Sequence, residues 1–355
     1  MTEKSKSVNP RPVKAKSAKL ALAAWFLVVL HVVVLFAGFV APYSYDTQDR
    51  DHPYAPPVRL HFVDARGNWH MRPFVYGIRN REGSLTEYEE DRAQRFPLQL
   101  LAAGDPYRVL WRFSGHTHLF GVAAPARFYL LGTDGFGRDQ FSRILYGGQV
   151  SLFAGILAAT LSAVTGLLLG MMAGMFGRPV DDLIMRVGEI FIALPWLYLL
   201  ISVRAFLPLQ MSSVAAFTLV VAVIGLVGWG RPARLVRGVV LSARERNFVL
   251  AARGFGAGKW YLMRRHILPA TLGVALTQMA LLVPLFMMAE ITFSYLGLGV
   301  GEPFPSWGSM LASAQQFHVI SQYWWMLLPG LAPAPVFLAC HALADVWQDK
   351  MKFAV

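Results

Sequence analysis

Long apolar runs are the feature that most limits how this 355-residue chain can fold. The first run, Leu20 to Ala41, contains His31 as its one polar side chain. At about 1.5 Å per helical residue it is long enough to cross a hydrocarbon core of about 30 Å. Further apolar runs lie at about 149–176, 183–206, 214–230, 270–290 and 324–344. The sequence therefore predicts an all-α polytopic membrane protein with six transmembrane helices.

The distribution of charged residues along the chain agrees with this topology. Hydrophobic residues make up 55% of the chain and charged residues 15%, while the net charge is +12. Nucleic acid binding is one explanation of such a basic chain, but the apolar runs separate the cations into tails and loops, which the positive-inside rule explains better. We therefore expect a bacterial inner-membrane protein with a basic cytoplasmic tail at 1–19, a first helix at 20–41, and a second cytoplasmic tail at 347–355. A cleaved signal peptide is the alternative for the first run, although that run is long for one.

The region from 42 to 148 is predicted to lie outside the cytoplasm. β-branched and aromatic residues broken by Pro and Gly recur in His70 to Arg79 and Tyr107 to Val122, so we expect a small, mostly β insertion after the first helix. His116 and His118 alternate along a predicted strand, but no cysteine or neighbouring carboxylate completes a ligand set, so packing histidines are favoured over a metal site. Cys340 is the only cysteine, which excludes a disulfide within the chain.

A basic loop at 231–269 follows the fourth run and contains the sequence FVLAARGFGAGKWYLMRRHILP. Ser242 and Glu245 fit an S-x-x-E capping box, which predicts that a helix begins near Ser242. Glycines at 254, 256 and 258 then predict a turn with positive φ, followed by a second short helix from Lys259 to Leu268 that ends before Pro269. The alternative from spacing alone is an ordinary basic loop.

This loop resembles the EAA loop of ABC importer permeases, in which two alanines, a glycine and a His-x-Leu-Pro sequence recur at fixed spacing. The resemblance implies a coupling helix that docks onto a cytoplasmic ATPase. Leu250 stands where the family usually has Glu. The coupling residues implied are Leu250, Ala251, Ala252, Arg253, Phe255, Gly256, His266, Leu268 and Pro269.

A nucleotide-binding loop is the competing interpretation of Gly258-Lys259. A P-loop requires glycine five residues before that pair and a hydroxyl after it. Arg253 and Trp260 occupy these positions instead. We therefore predict that this chain has no catalytic residues and no cofactor, and that ATP and Mg are bound by partner ATPase subunits.

A second motif, LGTDGFGRDQFSR, precedes the second run and by itself predicts a turn that leads into an interfacial helix. It resembles the LGTDxxGRDxxSR signature of C-type permeases in the dipeptide, oligopeptide and nickel branch. Segments at 181–186 and 290–311 are similar to the same branch, so the resemblance covers about 123–348 and leaves 42–122 outside it. The outer-face residues implied are Gly132, Thr133, Asp134, Gly137, Arg138, Asp139, Ser142 and Arg143.

The resemblance implies a five-helix permease core at 149–346 and an importer that moves peptides. Its expected partners are a homologous second permease, one or two cytoplasmic ATPases, an extracytoplasmic solute-binding protein and membrane lipid. Glu290 is the ionisable residue that we predict for the translocation pathway, with packing or snorkelling as its alternative. Two other functions stay open, namely an ion-driven secondary transporter and a membrane-anchored extracytoplasmic enzyme, binding protein or sensor.

Overall fold

The computed structural model describes residues 13–81, 87–109, 112–206 and 211–352. Most of the basic tail predicted at 1–19, and residues 353–355 of the second tail, lie outside the described residues. Helix α1 (Val13–Leu35) contains the first apolar run and is followed, after Phe36, by the short helix α2 (Ala37–Val40). Because α1 is apolar on all sides from Leu20 onward, its surface suits lipid or other apolar helices.

The predicted β region follows α2 and is confirmed as a small β structure. An antiparallel sheet has the strand order β1-β2-β3, and a separate antiparallel hairpin joins the next two strands. The buried side chains of Phe74, Val75 and Tyr76 form the core of the sheet. The strands are β1 (His61–Val63), β2 (Trp69–Asn80), β3 (Tyr88–Pro97), β4 (Gln99–Val109) and β5 (Phe113–Gly121).

Helix α3 (Gln140–Phe176) is the central element of the helical part. It begins nine residues before the apolar run at about 149, because Asp139 caps its N-terminus by accepting a hydrogen bond from the Ser142 amide. Small residues along α3 allow other helices to approach closely. A Cβ at Gly155 would lie 2.8 Å from the Val283 carbonyl oxygen, so any larger residue there would push a neighbouring helix away.

The apolar run predicted as a transmembrane helix at about 183–206 is not one continuous helix. The chain instead forms α4 (Arg178–Ala193) and α5 (Trp196–Ala205), whose axes are bent by 83°. Pro195 lies at the bend, where it supplies no N–H to a continuous helix and disfavours helical geometry at the preceding residue. The next apolar segment comprises α6 (Ser213–Val227) and α7 (Gly230–Ala243).

The capping-box prediction is also wrong. Ser242 lies in the last turn of α7, and the next helix, α8 (Asn247–Gly254), begins five residues later. Helix α7 continues past the box because Val236, Val240 and Ala243 are buried in one apolar cluster with α3. Tertiary burial thus outweighs a local capping signal.

The second short helix does not end before Pro269. Helix α9 (Lys259–Leu262), a π-helical turn (Met263–Ile267) and α10 (Leu268–Tyr295) form one helical segment from Lys259 to Tyr295. Pro269 is accommodated because it occupies the second position of α10, near a π-turn where backbone hydrogen bonding is already altered. Of the three glycines in the predicted turn, only Gly256 has positive φ, at 87°.

The chain then forms a series of short helices before its last long one. They are α11 (Trp307–Ala312), α12 (Phe317–Gln322), a 3₁₀ turn (Trp324–Leu327), α13 (Leu328–Leu331) and α14 (Pro333–Lys352). The main apolar core joins α3, α6, α10 and α14 through buried side chains such as Leu152, Val220, Met287 and Val336.

Within the described residues, four helical segments are long and apolar enough to cross a membrane, and the bent α4–α5 pair raises the number to five if it is one crossing. They are Gln140–Phe176, Ser213–Ala243, Lys259–Tyr295 and Trp324–Val346. The apolar part of α1 within the described residues, Lys19–Leu35, is shorter. The molecule is therefore a mostly helical, multi-pass membrane protein, and six crossings remain a prediction.

Candidate functional site

Helices α8 and α9, with the turn at 255–258 between them, form a helical hairpin at the C-terminal end of α3. The Phe176 ring lies 5.4 Å from the Trp260 ring, and Lys259 lies 5.5 Å from the centre of the Phe176 ring. Arg244 also donates a hydrogen bond to the Gly174 carbonyl at 3.2 Å. These contacts fix the base of the helical hairpin to the end of the longest helix.

The base of the helical hairpin is buried, whereas its turn is not. Val249 and Leu262 are almost fully buried, and the Phe248 ring packs 5.7 Å from the His266 ring. In contrast, Phe255, in the turn, is 92% exposed. An apolar turn held on a rigid base and left uncovered by its own chain is typical of a surface that binds another protein.

The structure brings the predicted coupling residues together on this element. Those on α8 and the turn are mostly exposed, while the later ones lead into α10. His266, in the π-turn, joins the two parts by its contact with Phe248. The exposed residues are Leu250, Ala251, Arg253, Phe255, Gly256 and Pro269, and the half-buried ones are Ala252, His266 and Leu268.

The second motif lies at the opposite end of α3 and is almost entirely buried. The Thr133 hydroxyl donates to the His52 carbonyl at 2.7 Å and accepts from the Ala55 amide at 2.7 Å. The Trp325 indole donates to the Thr133 carbonyl at 2.9 Å. Gly137 has a φ of 70°, and a Cβ there would overlap the Asp49 carbonyl oxygen. The motif thus joins the segment after α2, the start of α3 and the segment before α14.

A charged cluster of Asp134, Arg138, Arg143 and Glu302 lies within this motif. Arg138 donates through Nε to Asp134 at 2.7 Å and through Nη1 to Glu302 at 2.8 Å. Arg143 donates to the other Glu302 oxygen at 3.0 Å. Three members are buried, and the Glu302 side chain is 55% exposed. Sequence reasoning missed Glu302, although it lies within the family-like segment at 290–311.

Asp139 is the buried carboxyl group that begins α3. Burial raises its pKa to about 7 from an ordinary value of 3.8, even though Ser142 donates to it through both its amide and its hydroxyl. Its second oxygen has no hydrogen-bond partner among the described residues. The folded chain therefore holds this proton between about pH 4 and pH 7, where the unfolded chain has released it.

We predict a pH effect on stability from Asp139. Because the folded-state pKa is the higher one, the free energy of unfolding should fall as pH rises from about 4 to about 7. Between pH 5 and pH 7, the decrease in the free energy of unfolding should be smaller by roughly 2 kcal/mol in Asp139→Asn than in the wild type. Thermal unfolding followed by tryptophan fluorescence at both pH values measures the difference. Asp51→Asn, at an exposed aspartate, is the matched control, and its unfolding should depend on pH as that of the wild type does.

Glu290, the residue predicted for the pathway, is 1% exposed. One carboxylate oxygen accepts from the Ser294 hydroxyl at 2.6 Å, and Ser151 and Ser306 lie beside it. The other oxygen has no hydrogen-bond partner among the described residues. Glu290 thus lies between α3, α10 and the start of α11.

Two histidines between α2 and β2 each contact one carboxylate. His52 contacts Asp49, three residues earlier, at 2.9 Å, and His61 contacts Glu90 at 2.9 Å. The pairing of β1, β2 and β3 brings His61 and Glu90 together although they are separated in sequence. Within the described residues, no group of three or more His, Cys, Asp or Glu is placed to hold a metal ion. His118 is buried between two carbonyl oxygens, those of Ala41 and Asp105, and is a packing histidine.

The two candidate sites are separated by the length of α3. A helix of 37 residues is about 55 Å long, which exceeds the thickness of a bilayer with its headgroups. The helical hairpin and the charged cluster therefore lie at opposite ends of a helix long enough to cross a membrane. These features define a class: a multi-pass membrane protein with an exposed apolar turn at one end of this helix and a buried polar junction at the other.

Comparison with known proteins agrees with this class. Residues 166–353 match the family model described as a binding-protein-dependent transport system inner membrane component. Residues 16–57 match the N-terminal TM domain of oligopeptide transport permease C. This chain belongs to that family of transport permeases, in its C-type branch. Members of the family are permease subunits of ABC transporters and are not themselves catalytic.

Individual relatives share most of the helical part. The chain is 36% identical over 228 residues to the dipeptide transport system permease protein DppC of Bacillus subtilis, covering 64% of this chain and 69% of that protein. It is 39% identical over 225 residues to a putative peptide transport system permease protein of Brucella suis, covering 63% and 73%. A solved chain of the MetNI methionine ABC transporter, in inward-facing conformations, aligns with a TM-score of 0.43 at 15% identity, covering 58% and 96%.

Proposed function

We propose that this chain is one of two permease subunits of an ATP-driven peptide importer, and that the helical hairpin couples it to a cytoplasmic ATPase. The observation that carries the proposal is the nearly complete exposure of Phe255 on a turn whose base is buried. A rigid element with an uncovered aromatic tip transmits force well because its base moves with the helices to which it is packed. Leu250, in place of the usual Glu, adds an apolar contact to the docking surface.

The topology that we propose has six crossings with both termini in the cytoplasm. Gln149, near the start of α3, donates to the Val34 carbonyl, so the C-terminal end of α1 lies at the outer face. Ser213 donates to the Gly301 carbonyl, which supports an outer position for the start of α6. The bent α4–α5 pair then serves as the third crossing. With these ends assigned, the arginine-rich helical hairpin and both termini share the cytoplasmic side.

The partners that we propose are those expected of the family, including ATPase subunits that bind the nucleotide for which this sequence has no binding motif. A homologous second permease would complete the translocation pathway, and an extracytoplasmic solute-binding protein would deliver the substrate. One or two ATPase subunits would bind ATP and Mg, since the sequence contains no P-loop. Peptide is the substrate that we propose, because the relatives are named as dipeptide or peptide transport permeases.

The coupling mechanism that we propose runs from the helical hairpin into α10. ATP-driven closure of the ATPases moves the turn, and the contact between Phe248 and His266 passes the motion to the π-turn. Helix α10 then tilts at Pro269, which exchanges inward-open and outward-open states. Glu290, on α10 beside α11, is the proposed polar group of the pathway that such a tilt would uncover.

Affinity purification of the tagged chain in mild detergent tests this function. Recovery of a second permease and of ATPase subunits, identified by mass spectrometry, supports the proposal. Uptake of a labelled dipeptide and a labelled pentapeptide by cells with and without the chain then tests the substrate. Reproducible purification of the chain alone, together with ion-driven transport, would instead support a secondary transporter.

Gly256 offers a graded test of the turn. Its positive φ is unfavourable for any other residue, yet a Cβ there would meet nothing within 4 Å. Gly256→Ala should therefore change only the turn, at a cost of about 1 kcal/mol, and weaken ATPase binding roughly fivefold. Gly254→Ala is the matched control, because Gly254 is helical and equally open. Equal ATPase affinity of the two variants, measured by titration, would exclude a role for the turn conformation.

A further inference from the structure

The hairpin of β4 and β5 runs along the outer end of the first helix. Near the end of α2, His118 contacts the Ala41 carbonyl oxygen at 2.5 Å. Tyr107 packs against Gly38, where a Cβ would lie 2.6 Å from its ring. The paired residues Val109 and Phe113, next to the hairpin tip, border a groove together with residues of α1. The contacts thus run from Ala41 back to Gly38, and beyond them the hairpin and α1 line one groove.

The direction of these contacts brings Val109 and Phe113 toward the membrane. From Ala41 back to Val32, which also lines the groove, the helix covers nine residues, or about 13 Å. Helix α1 belongs to the segment that matches an N-terminal TM domain. The Val32 end of the groove therefore lies below the membrane surface, whereas its Val40 end lies where headgroups meet acyl chains. Val109 and Phe113 line this groove.

The groove between the hairpin and α1 is apolar and open. Its volume is about 680 Å³, and its lining includes Val32, Val33, Phe36, Val109 and Phe113. Phe113 is 64% exposed, although it lies beside other apolar side chains. Exposure of such a surface to water costs about 25 cal/mol per Å². An apolar occupant is therefore required.

The groove is continuous with an apolar stripe along α1. The exposed side chains of the stripe follow helical spacing and are Leu22, Trp25, Val29, Val32 and Phe36. This stripe faces away from the rest of the chain, and in a membrane such a surface contacts acyl chains. The groove lies at its outer end, where lipid enters without crossing any polar barrier.

Two exposed arginines adjoin the residues of the hairpin that line the groove. Arg108 and Arg112 are exposed and adjoin the groove residues Val109 and Phe113 in sequence. The sequence contains no acidic residue from 106 to 133, and the carboxylate of Asp105 on β4 accepts hydrogen bonds from the Ser44 amide and the Thr47 hydroxyl. Arginine beside aromatic and aliphatic residues is the pattern by which proteins anchor in a membrane interface.

We propose that the β4–β5 hairpin is a lipid-binding element, whose groove holds an acyl chain of an outer-leaflet phospholipid and whose arginines hold the phosphate. The proposal goes beyond the transport function, because it requires only that α1 lies in the membrane. It assigns a role to part of the β region that lies outside the family motifs. By anchoring the hairpin, the lipid would hold the outer end of α1 in place during transport.

Lipid contact at Phe113 tests the proposal. The assembled transporter carrying Cys340→Ala and Phe113→Cys is labelled with a fluorescent maleimide and reconstituted in vesicles of phosphatidylcholine and phosphatidylglycerol. Acyl chains brominated near the glycerol should reduce the fluorescence at least twofold. Leu100→Cys is the matched control, because Leu100 is 76% exposed on β4 and lies nine residues, or about 30 Å, from Val109. Its label should not be quenched.

Two results would overturn the proposal. Quenching of the label at position 113 by aqueous iodide, without quenching by brominated lipid, would show that this position faces water. Protection of the label from both quenchers would show that a protein, such as the second permease, covers the groove.

The variant Arg108→Gln/Arg112→Gln, in the same Phe113→Cys background, separates folding from lipid binding. It should assemble normally and lose preferential quenching by brominated phosphatidylglycerol over brominated phosphatidylcholine.

Discussion

Phe255→Asp should abolish uptake while leaving the permease folded and inserted in the membrane. Because Phe255 is 92% exposed, it contributes almost nothing to packing within this chain. An aromatic residue at the centre of a docking surface typically contributes 2 kcal/mol or more to binding, so the affinity for the ATPase should fall by roughly 30-fold. Buried charge in the docking groove would add to the loss. Peptide uptake by cells and recovery of ATPase with the tagged chain measure both effects.

The control for this variant is Met71→Asp. Met71 is 82% exposed on β2, in the β region, so it undergoes the same chemical change far from the helical hairpin. Met71→Asp should retain wild-type uptake and ATPase recovery. Phe255→Leu should recover most of the binding, since the contact is apolar. Normal uptake by Phe255→Asp would show that the helical hairpin does not dock onto the ATPase through its turn.

Asp134→Ala should cause the largest loss of stability of any single change in the charged cluster. The Asp134 carboxylate accepts from the Phe136 amide at 2.8 Å, the Arg138 amide at 3.0 Å and the Arg138 guanidinium at 2.7 Å. Its removal would leave these buried donors unsatisfied, and Arg143, 3.7 Å away, would lose a counter-charge. Breaking a buried ion pair in this way costs about 3 to 5 kcal/mol.

Cys340 reports this loss directly. It is the only cysteine of the chain and is 3% exposed, so a maleimide should modify it only when the helical core opens. Mass spectrometry of the chain after heating with the reagent gives the temperature of opening, which Asp134→Ala should lower markedly. Glu89→Ala removes an exposed ion pair with Arg79 and should have an effect within about 0.5 kcal/mol. Equal midpoints for the two variants would contradict a structural role of the charged cluster.

The charged cluster and the helical hairpin are linked by the same two helices. Helix α3 begins at the cluster and ends against the helical hairpin, while α10 begins at the π-turn and ends near Glu302. Both helices belong to the main apolar core. A packed core moves as a body, so displacement of the helical hairpin is expected to change the contacts of Glu302 at the other face. Glu302 is the half-exposed member of the cluster and is the one free to exchange partners.

Sequence reasoning identified the family and much of the helical hairpin because both depend on local residue types. Gly256 was predicted to allow positive φ and does so in the structure. The start of a helix at Ser242 was also predicted from local chemistry, and it was wrong because burial of Val240 and Ala243 extends α7 past the capping box. Gly254 and Gly258, for which positive φ was also predicted, do not have it. A local signal thus shows what the backbone can do, and packing decides whether it does so.

The sequence by itself determined that this chain is a membrane permease of the C-type branch. Apolar runs specify membrane helices because the free energy of transfer into lipid depends on the residues of each run alone. The two motifs specify the family by residue identity and spacing. Neither conclusion requires knowledge of which segments touch.

Only the tertiary structure decided which distant residues meet. Arg143 and Glu302 are 159 residues apart, and no pattern in either segment indicates that they form an ion pair. The 83° bend at Pro195 and the groove that Phe113 and Val32 both line likewise depend on packing between elements. Such contacts arise from the shape and burial of the whole molecule, because each segment satisfies its own backbone hydrogen bonds in many arrangements and only packing selects one of them.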